Sequence, residues 1–504
     1  MPTVPLPDRP NLEQLRNQAK DLHRSVRADL PEALAEVAEH HPVGLGSDGS
    51  RGFSLSDARL VVARRYGFSS WTPLKRYVEV VERYSRYPAE LAQNAVPGRL
   101  ADEFLRLACL TYGDDDRPEP RRRARDLLSE RPELTDDNIF VAAAAADVDA
   151  VGRLLANDPD VAMREGGPYR WTPLLYLAYA RHDPDIARDA VLAAARLLLD
   201  AGADVDAGYL WHGMPSPFTV LTGVFGEGEL GPVRQPRHPH SLDLARLVLD
   251  AGADPNDGQA LYNRIFGRDN DHLELLFEFG LGTGAGGPWH RRLGAAIDTP
   301  EQMVRGQLRW AVSHGMAERM RLLLDHGVDA AAPFADGITA PALAATSGHT
   351  ALVDDLVAHG APAPALEPVD AFIAAALAAD RTGLDRVQAA HPGVAAAARA
   401  ARPALVVWAA GSGSPPAVEL LVAAGFDVNA RGRTDIPVEQ PWHTALHGAA
   451  ESGDVELART LLQLGADPDI HDERFDSTPL GWARHLDHGE VADLLEPVTA
   501  ESDY

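Results

Sequence analysis

Leu197-Leu198-Leu199-Asp200-Ala201-Gly202-Ala203-Asp204 is a phrase that this chain repeats. It returns as Leu247-Val248-Leu249-Asp250-Ala251-Gly252-Ala253-Asp254 and, shortened, as Leu461-Leu462-Gln463-Leu464-Gly465-Ala466-Asp467. Looser copies end at Gly280, Gly327, Gly360 and Gly425. Reading back from each glycine, apolar residues fall at helical spacing, as in Leu242, Leu244, Ala245, Leu247, Val248 and Leu249, and the glycine stands where a left-handed C-cap is needed. Upstream of the last copies a threonine opens a short helix, in Thr444-Ala445-Leu446-His447-Gly448-Ala449-Ala450 and in Thr478-Pro479-Leu480-Gly481-Trp482-Ala483. Proline after the threonine suits a first helical position, where no hydrogen bond is lost. Repetition of such a unit predicts a stack of helix pairs, which grows by one unit at a time and mainly makes surfaces.

Composition agrees with a stack of short helices. The 504 residues are 45% apolar and only 6% aromatic, so every unit has a face to bury and alanine allows close packing. No stretch of about eighteen apolar residues predicts a membrane span, and Met1-Pro2-Thr3-Val4-Pro5 does not read as an export signal. A cytoplasmic protein is expected. The lone Cys109 permits no disulfide within the chain and reads as inert packing. Residues 1–95 carry 13 Lys+Arg against 12 Asp+Glu, so the whole net charge of −27 falls on the remainder. Such a field repels phosphate backbones and favours a basic or neutral protein partner over nucleic acid.

Helix, turn, helix, glycine stop and acidic hairpin, with Thr-Pro-Leu-His-like openings, resembles the ankyrin repeat. Near-consensus units run from Thr444 to Asp469 and from Trp171 to Asp206, and Gly327 to Gly360 is the ankyrin interval of 33 residues. The resemblance implies an all-α architecture, an ankyrin-repeat α-solenoid of about ten units preceded by an N-terminal helical domain. The expected division is a module over 1–95 and an array over 96–500, with long insertions at 205–217, 225–240, 281–304 and 429–442. The module, with Leu6-Pro7-Asp8-Arg9-Pro10, Leu12-Glu13-Gln14-Leu15-Arg16 and Asp57 to Trp71, resembles one found ahead of ankyrin arrays in actinobacterial proteins. The resemblance carries no activity, since such arrays bind many unrelated partners.

The segments between units carry large aromatics: Tyr169-Arg170-Trp171, Tyr209-Leu210-Trp211-His212, Trp289-His290-Arg291-Arg292 and Trp442-His443. Tryptophan, tyrosine and arginine dominate interface hot spots, so these residues are the expected binding surface on the concave face and hairpin tips. The alternative is that each ring caps the helix pair beneath it. The Phe225 to His240 insertion reads as a lid over the groove or as a disordered loop. A second function, small-molecule binding or catalysis in a pocket closed by the insertions, rests on the histidines and carboxylates near them. No nucleophile elbow, phosphate loop or nicotinamide fingerprint supports it, and His238, His240, His212 and His290 make only a weak metal signal. No cofactor or metal is expected. A third reading takes Ala58 to Gly67 and Trp71 to Val81 as a DNA-reading helix-turn-helix, against which stand Pro73 and the acidic array. A helical cap hiding the first repeat is preferred. His447 is expected to bond neighbouring repeats, and His326 and His359 are read as structural.

Overall fold

The computed structural model describes residues 4–7, 9–46, 49–88, 90, 99–433 and 441–500. The chain is an all-α repeat protein whose contacts divide it into two compact units, Met1–Val304 and Arg305–Tyr504. All seven predicted glycine stops lie in the left-handed region, from φ 83° at Gly327 to φ 100° at Gly252. The cap geometry recurs with them. Ala203 N–H donates to Leu198 O at 3.0 Å, Ala253 N–H to Val248 O at 3.0 Å, and Ala466 N–H to Leu461 O at 2.9 Å. Each bond spans five residues and satisfies a carbonyl that the helix end would leave without a partner.

In the first unit the chain begins with a helical module. The helix Leu12–Arg27 starts at Asn11, whose side chain accepts from Glu13 N and Gln14 N. Leu15, Ala19, Leu22 and Val26 form its buried stripe, which packs with Val37, Phe53, Val61, Val62, Leu74 and Val78. Ser54 and Asp57 close a capping box at the helix Leu55–Arg65, and a short turn leads to the helix Trp71–Tyr84. Five helix pairs follow among the described residues: Leu100–Ala108 with Pro118–Glu130, Ile139–Ala144 with Val148–Asn157, Pro173–Tyr179 with Arg188–Asp200, Val220–Phe225 with Ser241–Asp250, and Gly258–Ile265 with Asp271–Glu278.

The expected boundary near residue 95 does not separate two bodies. Directly after the helix Trp71–Tyr84, strand β1 (Ser85–Arg86) pairs in parallel with β2 (Gly208–Trp211), which pairs antiparallel with β3 (Pro217–Thr219). Val81, Leu210, Trp289 and Leu293 make a small apolar core at that junction. Gly208 is required there, because a Cβ would meet the Phe218 carbonyl at 2.8 Å. The module therefore docks on projecting segments of the repeats.

The insertions are largely built. Residues 205–217 make most of the β2–β3 hairpin, 225–240 hold the short helix Gly231–Arg234, and 281–304 hold the helix Pro288–Leu293. Of the segment 429–442, residues 434–440 lie outside the described residues, as do 91–95 of the module.

The second unit has six pairs among its described residues. They are Pro300–Ser313, which enters it at Arg305, with Ala317–Asp325; Ala340–Thr346 with Thr350–Ala358; Pro368–Leu377 with Arg381–Ala390; Leu405–Gly411 with Pro415–Ala423; Ala445–Ser452 with Val455–Gln463; and Pro479–His485 with Gly489–Leu495. Gly393 departs from the pattern. It has φ 92° but opens an additional helix, Val394–Ala401, instead of closing one. One continuous apolar core runs from Phe372 to Leu495.

Candidate functional site

The aromatic segments of the first unit fill its interior. Trp171 is 1% exposed and stacks on Tyr209 at 5.0 Å between ring centroids; Tyr209 in turn stacks on Phe218 at 5.5 Å, and Tyr169 lies 4.7 Å from Trp171. Successive fingers thus bury their rings on one another, and Trp289 is buried against Tyr84, which corrects the expectation of an exposed wall for Tyr169, Trp171, Tyr209 and Trp289. Trp211 is half-buried and donates from its indole to Thr111 O at 3.0 Å. Trp289 donates to Asp206 O at 2.9 Å. His290 faces Asp254 at 3.4 Å. Burial works to raise the Asp254 carboxyl, and hydrogen bonds from His290, Asn256 and Gly287 outweigh it, so the net shift is downward. Arg170 and Arg291 are exposed, and His212 is half-buried with a left-handed φ of 50°.

What occupies these segments is the chain's own N-terminal module. Tyr84 meets Trp289 edge-on at 5.0 Å, Arg292 lies over both rings at 5.0 and 4.7 Å, and Tyr87 meets His212 at 5.2 Å. Arg83 grips Glu165 through two bonds of 2.7 and 3.0 Å, and the buried Arg86 adds a third at 3.0 Å. The helix Trp71–Tyr84, second of the helix-turn-helix reading, is thereby packed on the fingers along one side and on the module core along another. Replacing Tyr84 by Ala is expected to cost about 1–2 kcal/mol, from ring area and the cation–π contact. Urea melts measure that cost. Hydrogen exchange at the Ser85 and Arg86 amides should rise, since β1 loses its anchor.

The Phe225 to His240 segment is a latched strap. Arg237 binds Glu227 at 2.8 Å, Asp269 at 2.5 Å and Asp271 at 2.6 Å; the fully buried Arg264 contacts the same three carboxylates. Arg234 reaches Asp116 O at 3.0 Å and Asp114 O at 2.6 Å, and Arg181 reaches Pro236 O at 2.7 Å. Asp269, Asp271 and His272 offer ligand atoms within 4.8 Å of one another, but both carboxylates are already paired with the two guanidiniums. His240 bonds Ile186 O at 2.7 Å, and the buried His238 Nδ1 accepts from His240 N. Those two rings therefore serve the strap.

The same unit holds two buried acids with raised pKa values. Burial pushes the Asp116 carboxyl up to about 6 although it accepts from Thr111 N at 3.1 Å and Tyr112 N at 2.8 Å. Burial likewise raises Asp257, which accepts from Ala260 N at 2.9 Å and from the hydroxyls of Thr219 and Thr222. Their oxygens are committed to backbone, hydroxyl and, for Asp116, Gln235 amide donors, so both acids hold loops and helix starts in place.

In the second unit the fingers of the last repeats form a different surface. Phe475 is 61% exposed at the tip of Asp472-Glu473-Arg474-Phe475-Asp476, with Arg474 over its ring at 5.2 Å. Half-buried Trp442 lies 6.0 Å from Trp482, with Arg433 over it at 4.6 Å and Arg474 at 5.9 Å. The tip is rigid. Asp472 accepts from Arg474 N at 2.8 Å, Phe475 N at 2.7 Å, Ser477 N at 3.1 Å and Trp482 Nε1 at 3.0 Å, and Glu473 N–H donates to Trp442 O at 3.0 Å. Sequence reading found Trp442 and missed Phe475. Its signal is an aromatic residue inside a polar hairpin, outside any helical stripe.

These repeats are the part of the chain that comparison identifies. The ankyrin repeat family model matches residues 406–501 in three copies, which are the last three helix pairs. An E3 ubiquitin-protein ligase, hecd-1 of Caenorhabditis elegans, is 36% identical over 99 residues, 19% of this chain and 3% of that protein. The likeness thus spans a small fraction of the ligase.

Proposed function

We propose that this chain is a protein-binding ankyrin protein whose partner docks on the fingers of the last repeats, with Phe475 and Trp442 as anchors and Arg433 and Arg474 beside them. The observation that carries this reading is the large exposed ring of Phe475 on a tip held rigid by four bonds to Asp472. A preorganised aromatic beside arginine binds at low entropic cost. Residues 305–504 carry 13 arginines and no lysine against 28 Asp+Glu, so the field around the tip steers a basic or neutral segment. Ankyrin arrays are in general surfaces for proteins, and this reading narrows the surface to one edge.

The test places a photo-crosslinking amino acid at position 475 and, as a control, at the exposed Ile338. The expected result is one dominant crosslinked protein at 475 that is absent at 338. It should be lost on adding Arg474→Ala and Trp442→Ala, with the melting curve of the Arg474→Ala protein unchanged. Equal yields at 475 and 338, or no loss in the variants, would reject the surface.

A further inference from the structure

A cavity of about 500 Å³ lies in the first unit, where the N-terminal module meets the 281–304 insertion. Its walls come from three separate stretches of chain: Val4 to Leu6, the turn and helix start from Tyr66 to Tyr77, and Arg291 to Ala296. Val4 N–H is tied to Arg65 O at 2.9 Å, and Phe68 packs on Tyr77 at 5.3 Å, so the apolar side is fixed. Among the described residues, Arg76, Arg291 and Arg292 are the charged members of the lining, with no acidic residue beside them. Among the described residues no carboxylate lies within ion-pair distance of Arg76 or Arg291, whereas Arg292 is held over Tyr84 and Trp289. In a chain of net charge −27, three arginines line this one cavity, and among the described residues two of them, Arg76 and Arg291, have no carboxylate partner.

We propose that this cavity binds a small organic anion, a phosphate or carboxylate carried on a flat apolar body. Like charges gathered on separate elements repel, and an anion between them relieves the repulsion. Guanidinium is the cation suited to two-point recognition of a carboxylate or phosphate. Tyr66, Phe68, Tyr77, Leu6 and Leu293 supply the apolar wall, and the volume falls in the range of ligand pockets, about 300–1,000 Å³. Because both sides of the junction contribute, the bound anion also clamps the module to the repeats.

Isothermal titration of the full chain with 2-naphthyl phosphate, 2-naphthoate and neutral 2-naphthol distinguishes the contributions. The expected result is that at least one of the two anions binds tenfold or more tighter than 2-naphthol, with affinity falling as sodium chloride rises. The variant Arg76→Gln with Arg291→Gln should weaken that anion tenfold or more while its melting temperature in the absence of ligand is no lower than that of the unmodified chain. Both side chains are exposed, so folding is retained and circular dichroism verifies it. Inorganic phosphate, run alone, separates a built site from simple charge attraction. Equal binding of 2-naphthol, equal binding of inorganic phosphate, no binding by either naphthyl anion, or unchanged binding by the double variant would each overturn the proposal.

Discussion

Replacing Arg264 by Met is expected to destabilise the first unit by about 3–5 kcal/mol at pH 7.5, the usual cost of removing one partner from a buried charge network. Arg264 is fully buried, and it shares Glu227, Asp269 and Asp271 with Arg237. Two guanidiniums face three carboxylates, and the substitution leaves one cation for all three. Burial and the neighbouring Asp271 already raise the Asp269 carboxyl, while Asp271 is held far below the ordinary range: burial opposes this and is outweighed by bonds from His272 and Asp269 and the charge of Arg237. Without Arg264 the Asp269 pKa rises further. A carboxyl raised in the folded state destabilises above its folded pKa, and the penalty is relieved as pH falls and it takes up a proton. The deficit of the variant should therefore be largest at pH 7.5 and smaller at pH 5. Urea melts at the two pH values measure it. A deficit below about 1 kcal/mol, or one that grows on acidification, would show that the strap owes little to this network.

The strap also shows where sequence stops being informative. Composition alone makes Phe225 to His240 a lid or a disordered loop, because the partners of Arg234 and Arg237 are distant in sequence: Asp114 and Asp116 on one side, Asp269 and Asp271 on the other. The glycine stops were legible for the opposite reason. Gly202 closes its helix through Ala203 and Leu198, all within a single local phrase. Trp171 and Trp289 fall between these cases. Their type and their place in projecting segments were readable. Whether each ring faced solvent depended on Tyr209 of the next finger and on Tyr84 of the module, and neither pairing leaves a mark in the local sequence. Phe475 leaves no periodic signal, because it repeats nothing in the other units.

His447 is the position at which local phrase and long-range contact coincide, and its replacement by Ala carries the second large effect. Its Nδ1 accepts from the Thr444 hydroxyl at 2.8 Å and from Thr444 N at 3.2 Å, and its Nε2 donates to Ser477 O at 3.0 Å, in the chain leading to the next helix pair. The ring is neutral with its proton on Nε2, as these bonds require. Removing it leaves the Thr444 donors and the Ser477 carbonyl unsatisfied in a buried place, for an expected loss of about 3 kcal/mol. Units in a stack are coupled mainly to their neighbours, so the loss falls on the interface before Pro479–His485. That final pair should then unfold ahead of the rest, splitting one transition into two.

Acidity supplies an independent check on the same residue. Burial pushes the His447 pKa down to about 4 from an ordinary 6.5, against the pull of the Ser477 carbonyl. Between those values the unfolded chain binds the proton and the folded one does not, so this contribution is complete above pH 6.5 and is lost as pH falls towards 4. The shift corresponds to about 3 kcal/mol over that window. His447→Ala cannot lose it, so the stability gap between the variant and the unmodified chain should be widest at pH 7.5 and close progressively by pH 5. Calorimetric scans of both proteins at pH 7.5, 6 and 5 give the comparison. A gap that stays constant with pH would mean that the imidazole titrates alike in both states and that its role is packing alone.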